Sequence, residues 1–336
     1  MIATQVAPAL RVENLSVYFD TKRGVVKAVD GVTFQLAPGE RFGLVGESGS
    51  GKSTIAQALL RLIKPPGRIV GGRMFLGSDD MALASEDEMR KLRLAKIALV
   101  PQGAMNSLNP VMKINKQLVD GILAHQGDKK VARATLVDRA GDLLESVGLR
   151  RDVGDRFPHE LSGGMKQRVC IATAIAMEPS VIIADEPTSA LDVVVQRQIM
   201  QTLGAIQLKL GAAVILIGHD MGMMAQFVDR VGIMYGGKLV ETGVTRPLFR
   251  KPYHPYTQVL ISSIPTFDSE STLTKIPGQP HSPLHLPSGC VFHPRCPRVM
   301  PVCSQVIPKL QELDEGRLVA CHLYGEPEGR AHAAVD

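Results

Sequence analysis

The stretch Gly46-Glu47-Ser48-Gly49-Ser50-Gly51-Lys52-Ser53-Thr54 decides how the rest of the chain is read. It fits the pattern G-x-x-x-x-G-K-[ST] and lies between a short apolar run, Arg41–Val45, and a run with helical spacing, Ile55–Ile63. Strand, glycine loop and helix are the context in which this pattern binds phosphate. Glycines let successive backbone N–H groups turn inward to cradle phosphate oxygens, and the helix that follows adds the positive end of its dipole. Lys52 then reaches the β- and γ-phosphates, and Ser53 offers its hydroxyl to Mg²⁺.

Working outward, Leu10–Phe19 and Val32–Leu36 alternate apolar and polar residues and predict a small antiparallel sheet beside the nucleotide. Tyr18 and Phe19 close the first of these strands. One of them, Phe19 ahead of Tyr18, is a candidate to stack on adenine, against the competing reading of a core aromatic. Ile97–Val100 predicts a further strand ending at Gln102, a polar side chain where ligands of open α/β sheets collect. From Lys113 to Val147 the apolar residues Leu118, Ile122, Leu136, Leu143, Leu144 and Val147 fall at helical spacing, interrupted at Gly127-Asp128. They predict a helical layer inserted into the core.

Leu161-Ser162-Gly163-Gly164 opens another helix, and the exposed N–H groups of Ser162, Gly163 and Gly164 make a second ready anion site. Val181–Ala184 is an apolar run ending in Asp185 and Glu186, which predicts a buried parallel strand with carboxylates at its tip. Asp185 is placed to hold Mg²⁺ through water, and Glu186 to orient or deprotonate an attacking water. A helix N-cap pair is the lesser reading. Ala213–Ile217 is one more buried strand, followed by His219, a candidate contact to a γ-phosphate. Val231–Tyr235 and Lys238–Thr242, joined by Gly236-Gly237, predict a hairpin. Lys52, Gln102, Glu186 and His219 therefore converge at one sheet edge.

In order and spacing these motifs resemble the nucleotide-binding subunit of ABC transporters. The resemblance implies a RecA-like α/β core with an antiparallel β subdomain over 10–242, a helical subdomain over about 104–165, and a C-terminal extension over 243–336. It makes Gln102 the Q-loop residue and a ligand of Mg²⁺ with Ser53 and Asp185. It makes Leu161–Arg168 the signature sequence, Ser189–Asp192 the D-loop and His219 the switch histidine. It implies ATP hydrolysis, with Lys52, Glu186 and His219 catalytic, and two ATPase subunits meeting head to tail so that Ser162–Gly164 of one covers ATP on the other.

Ser107-Leu108-Asn109-Pro110, His254-Pro255-Tyr256-Thr257 and Gly289–Pro297 are similar to the peptide and nickel importer branch. That branch implies import of peptides or a related solute, two membrane permease subunits, an extracytoplasmic solute-binding protein and a second, homologous ATPase. It places the chain peripherally on the cytoplasmic side of the membrane. The sequence departs from the family at Gly218 before His219 and at Gly103-Ala104 after Gln102, and neither departure removes a reactive group.

Composition agrees with this reading. A length of 336 residues, 45% hydrophobic and 21% charged, suits a globular protein with a large core. A net charge of +5 is mild. No apolar run is long enough to span a bilayer, and Met1–Leu10 lacks the regions of a secretion signal. A soluble ABC ATPase acting on nucleic acid or ribosomes is the competing class. It calls for paired cassettes or a basic, aromatic patch, and no nucleic acid partner is expected here.

Four of the five cysteines crowd the C-terminal region as Cys290-x5-Cys296-x6-Cys303-x17-Cys321. Four thiolates suit a [4Fe–4S] cluster or Zn²⁺, and the wide, irregular gaps favour the cluster; reduced, metal-free thiols are the alternative. Cys170, inside a predicted helix, reads as a core residue.

Overall fold

The structure is a computed structural model, which describes residues 7–103, 107–126, 131–264, 278, 281–314 and 316–325. Ala104 and the Gly127-Asp128 interruption lie outside the described residues.

The core is a sheet whose parallel part is built from β3 (Arg41–Val45), β6 (Ile97–Val100), β7 (Val181–Asp185), β8 (Ala213–Gly218) and β9 (Arg230–Tyr235). The apolar runs that predict these strands are long enough for a strand and too short for a helix. In β7, Val181, Ile182, Ile183 and Ala184 are all 0% exposed, as a strand covered on both faces requires. Each of the Val and Ile side chains contributes about 1.5–3 kcal/mol by leaving water. The register pairs Val45 with Gly218, Asp185 with Ile217 and Val100 with Ala184, so the carboxyl ends of the strands are level. Everything that follows those ends lands on one edge.

The same sheet continues from β9 through β10 (Lys238–Val244), the two joined as the predicted antiparallel hairpin, to β12 (Arg317–Val319) and β11 (Gln311–Asp314). The C-terminal region thus extends the core sheet. Its attachment is a buried ion pair: Glu241, 0% exposed, accepts hydrogen bonds from the backbone N–H groups of Tyr253 and His254 (both 2.9 Å) and pairs with Arg317 at 3.2 Å. With its lone pairs satisfied in this way, a buried carboxylate is tolerable.

A second sheet holds β2 (Gly24–Leu36), β1 (Leu10–Thr21), β4 (Gly67–Leu76) and β5 (Asp79–Asp80), all antiparallel. This is the antiparallel subdomain expected beside the nucleotide. Strand β4 is not legible beforehand because Gly71-Gly72-Arg73 breaks its alternation. Helix α1 (Lys52–Leu59) packs into this layer through Ile55, Ala56 and Leu59. Ser85 opens α2 (Glu86–Leu92) with a capping box to Glu88.

The inserted layer is α3 (Ile114–Leu123) and α4 (Arg133–Ser146), whose buried Leu118, Ile122, Leu136 and Leu144 join the core cluster of β6 and β7. Helices α5 (Gly163–Ala174), α6 (Val193–Leu210) and α7 (Met221–Phe227) cover the parallel strands. Helices α8 (Thr245–Arg250) and α9 (Pro255–Ser262) lead into the C-terminal region. Among the described residues no helix is long and apolar enough to cross a membrane.

The cysteines correct an expectation. No iron–sulfur or zinc site is formed by Cys290, Cys296, Cys303 and Cys321: among the described residues, no group of three or more His, Cys, Asp or Glu is placed to hold a metal ion. The thiols serve packing instead. Cys290 and Cys303 are buried in the main core with Cys296 packed against it, whereas Cys321 belongs to a separate cluster with Tyr253 and Val319. Burial pushes the Cys290 and Cys321 thiols up to about 11 and raises Cys296 as well, with the neighbouring cysteines adding to the rise. Cys170 is likewise a core side chain, 5% exposed, and burial pushes it up to about 12.

Candidate active site

The site forms where β3 runs into the glycine loop. A Cβ at Gly46 would lie 2.1 Å from the Met234 carbonyl oxygen, and Gly51, at φ 101°, would bring one to 2.2 Å from that of Ala28. Only glycine fits these two positions, because the loop is wedged between β9 and β2. Gly51 also precedes α1 without any side-chain cap, so the first N–H groups of that helix stay open to a ligand.

Lys52 is folded back across this loop. Its Nζ donates to the carbonyl oxygens of Gly46 (2.8 Å) and Glu47 (2.9 Å) and to Ser50 Oγ (3.3 Å), and the residue is 6% exposed. Burial lowers its pKa, opposed by the charges of Glu186, Asp185 and Glu47. Ser53 Oγ donates to Asp185 Oδ1 at 3.1 Å, so a hydroxyl and a carboxylate, both hard oxygen donors, face the same space. Burial raises the Asp185 pKa, Ser53 lowers it, and the neighbouring Glu186 raises it further.

Glu186 sits just past the tip of β7 at φ 44°, in the left-handed region, with its N–H held by the Ile217 carbonyl at 2.9 Å. That conformation is strained for a residue with a Cβ. It turns the carboxylate across the strand ends. There Oε2 accepts from Gln102 Nε2 at 2.8 Å, and Oε1 lies 3.4 Å from His219 Nδ1. The structure thus brings Gln102, Glu186 and His219 into one chain of contacts, next to Lys52, Ser53 and Asp185. Asp220, the next residue, caps α7, its Oδ1 accepting from Met223 N–H at 2.9 Å.

The other candidates lie apart. Ser162 caps α5 through Met165 N–H (3.3 Å), and its described hydrogen bonds are local to that turn. Phe19 is half-buried, packed close to Gly67: a Cβ at Gly67 would lie 2.5 Å from its ring and 2.8 Å from Ile63. Tyr18, its neighbour on β1, donates to Asp30 Oδ1 at 2.8 Å. Sequence reasoning missed three residues at the loop. Tyr256 accepts the Glu47 N–H at 2.9 Å, and Arg295 pairs with Glu47 at 2.8 Å and reaches Tyr235 Oη at 3.1 Å. Tyr256 and Arg295 stand in the stretches 254–257 and 289–297, whose types alone say nothing about where they dock.

Comparison with known proteins gives the arrangement its family. Residues 29–189 match the ABC transporter family model, and residues 240–303 match that of the oligopeptide/dipeptide transporter C-terminal region. The dipeptide transport ATP-binding protein DppD of Caldanaerobacter subterraneus is 43% identical over 94% of this chain and 97% of its own length. The oligopeptide transport ATP-binding protein OppD of Escherichia coli is 43% identical over 95% of each chain. The chain belongs to the ABC transporter ATP-binding family. It is an ABC-type ATPase of the oligopeptide/dipeptide importer branch. A dimeric structure of the ATP-binding cassette MJ0796 bound to ADP and Pi is similar at a TM-score of 0.63 and 27% identity, covering 70% of this chain and 99% of that one. This ABC ATPase therefore shares the fold of a cassette seen as a dimer with its hydrolysis products.

Proposed function

We propose that this chain hydrolyses ATP at Gly46–Thr54 to drive import of peptides or a related solute. The observation that carries the reading is the placement of Glu186 between Gln102 and His219, beside the lysine of the phosphate loop. Lys52, freed from its carbonyl partners, moves onto the β- and γ-phosphates. Glu186 accepts the proton of the attacking water, and His219 with Lys52 stabilises charge on the transferring phosphoryl group. Ser53, Asp185 and Gln102 would hold Mg²⁺, and the oxygen donors of Ser53 and Asp185 already meet at the loop. When bound, Mg²⁺ neutralises developing charge on the phosphate oxygens. Gly46 to Thr54, including Glu47, Ser48, Gly49, Ser50 and Gly51, form the cradle, and Phe19 or Tyr18 supplies the adenine stack.

In this reading Ser162, Gly163 and Gly164 cover the ATP of a second, homologous ATPase subunit. ATP then favours the closed pair and hydrolysis releases it. Two permease subunits in the membrane dock on the Gln102 region and the helical layer from the cytoplasmic side, and a solute-binding protein delivers the cargo. The names of the DppD and OppD relatives support peptides as that cargo. The test is a gentle-detergent pull-down of tagged protein with partners identified by mass spectrometry. Two multi-spanning proteins and a second ATPase are expected; only ribosomes, DNA or soluble partners would overturn the transport reading.

A further inference from the structure

Glu47, the second residue of the phosphate loop, is tied on three sides. Its carbonyl accepts from Lys52 Nζ, its N–H donates to Tyr256 Oη, and its carboxylate takes a two-pronged ion pair from Arg295, at 2.8 and 3.1 Å. Two of the three ties come from beyond β10. Tyr256 is 0% exposed on α9, and Arg295, its side chain 4% exposed, stands on the turn between Cys290 and Cys296. The supports are themselves locked. Tyr235, Tyr256 and Phe292 pack edge-on, with ring centroids 4.7 and 5.1 Å apart about Tyr235, whose hydroxyl also accepts from Arg295. Gly237, in the turn after Tyr235, donates its N–H to the Ser50 carbonyl at 3.2 Å.

A carboxylate in the second position of a triphosphate cradle has a clear electrostatic consequence. Left alone it would repel the phosphates, and in a partly desolvated loop that repulsion is poorly screened. Arg295 cancels it with a fork matched to the carboxylate, and that pairing also fixes where the Glu47 carbonyl holds Lys52.

We propose that Arg295 and Tyr256 are positioning residues of the phosphate loop, through which the C-terminal extension sets ATP affinity by neutralising and anchoring Glu47. This rests on the ATP reading above. The experiment titrates the full-length chain with the fluorescent analogue MANT-ATP and follows ATPase kinetics. Arg295→Met should weaken binding about tenfold, within the usual range of coupling between sites, and raise KM more than it lowers kcat. Arg295→Met/Glu47→Gln should recover most of that loss, because the repelling charge is gone; a purely structural Arg295 would show no such rescue. Tyr256→Phe removes one hydroxyl and should weaken binding about threefold, on the order of a single hydrogen bond; it carries the test where Arg295→Met does not fold. Unchanged affinity in Arg295→Met or Tyr256→Phe, or a double variant as weak as Arg295→Met, would overturn the proposal. If the wild-type chain itself fails to bind MANT-ATP, the ATP reading falls with it.

Discussion

Two neighbouring acids at the end of β7 carry different burdens. Glu186 is held by Gln102 and His219 without being buried deeply, which leaves it free to take a proton. Glu186→Gln keeps the shape and the hydrogen-bonding oxygen but not the basicity. It should bind MANT-ATP like the wild type while steady-state ATPase falls by about 10²–10⁴, the range of general base catalysis. Asp185 is different. Burial raises its pKa above the ordinary 3.8, so the folded state holds its proton longer than the unfolded one. Stability on its account therefore falls as pH rises from the unfolded pKa through the folded one, and at neutral pH the charge is a net cost until a cation arrives. Asp185→Asn should raise the Tm of the nucleotide-free protein at pH 7, because the buried charge is removed. It should also abolish Mg²⁺-dependent ATPase. A lower Tm would show that the charge is satisfied without a cation.

At the scale of elements, α9 depends on one neutral imidazole. His254 caps it, Nδ1 accepting from Tyr256 N–H at 3.1 Å, and the ring is tilted against Phe292 at 5.7 Å. Burial depresses its pKa from 6.5 to about 3. A proton on Nδ1 would face the N–H it now accepts from, so the folded state refuses protonation. A depressed folded pKa means stability held above the unfolded value and lost as pH falls, here between 6.5 and about 3. By pH 5 this group alone removes about 2 kcal/mol. His254→Asn retains a capping acceptor and does not titrate. Urea unfolding at pH 7 and pH 5 should show it less stable at pH 7, through lost packing, but with a smaller drop between the two. An equal drop would place the acid sensitivity elsewhere.

Over the whole molecule, the C-terminal region is structurally part of the core. Strand β12 pairs with β10, the Glu241–Arg317 pair is buried under Tyr253, and Phe292 closes the aromatic cluster behind the phosphate loop. A chain ended after Val244 would strip β12 from β10, remove both the backbone donors and the cation of Glu241, and expose the apolar side of Tyr235. The shortened chain should therefore unfold at lower urea than the full chain and aggregate; equal midpoints would show that the extension is an appendage.

The sequence by itself determined the chemistry. Lys52, Ser53, Asp185, Glu186 and His219 stand at the ends of apolar runs or glycine turns, where period and motif are local properties that a few neighbouring residues dictate. The strand ends of β3, β6, β7 and β8 follow from the same short-range patterns. Only the tertiary structure decided what the C-terminal residues do. Cysteine spacing alone suits a metal cluster, but packing assigns Cys290 and Cys303 to one apolar cluster and Cys321 to another, and among the described residues no group of three or more His, Cys, Asp or Glu is placed to hold a metal ion. Nor does any local pattern say that Arg295 meets Glu47, 248 residues away. That contact exists because β9 and β10 bring the chain back beside the phosphate loop, and long-range placement of this kind comes from how sheets pack, which no short window of residues records.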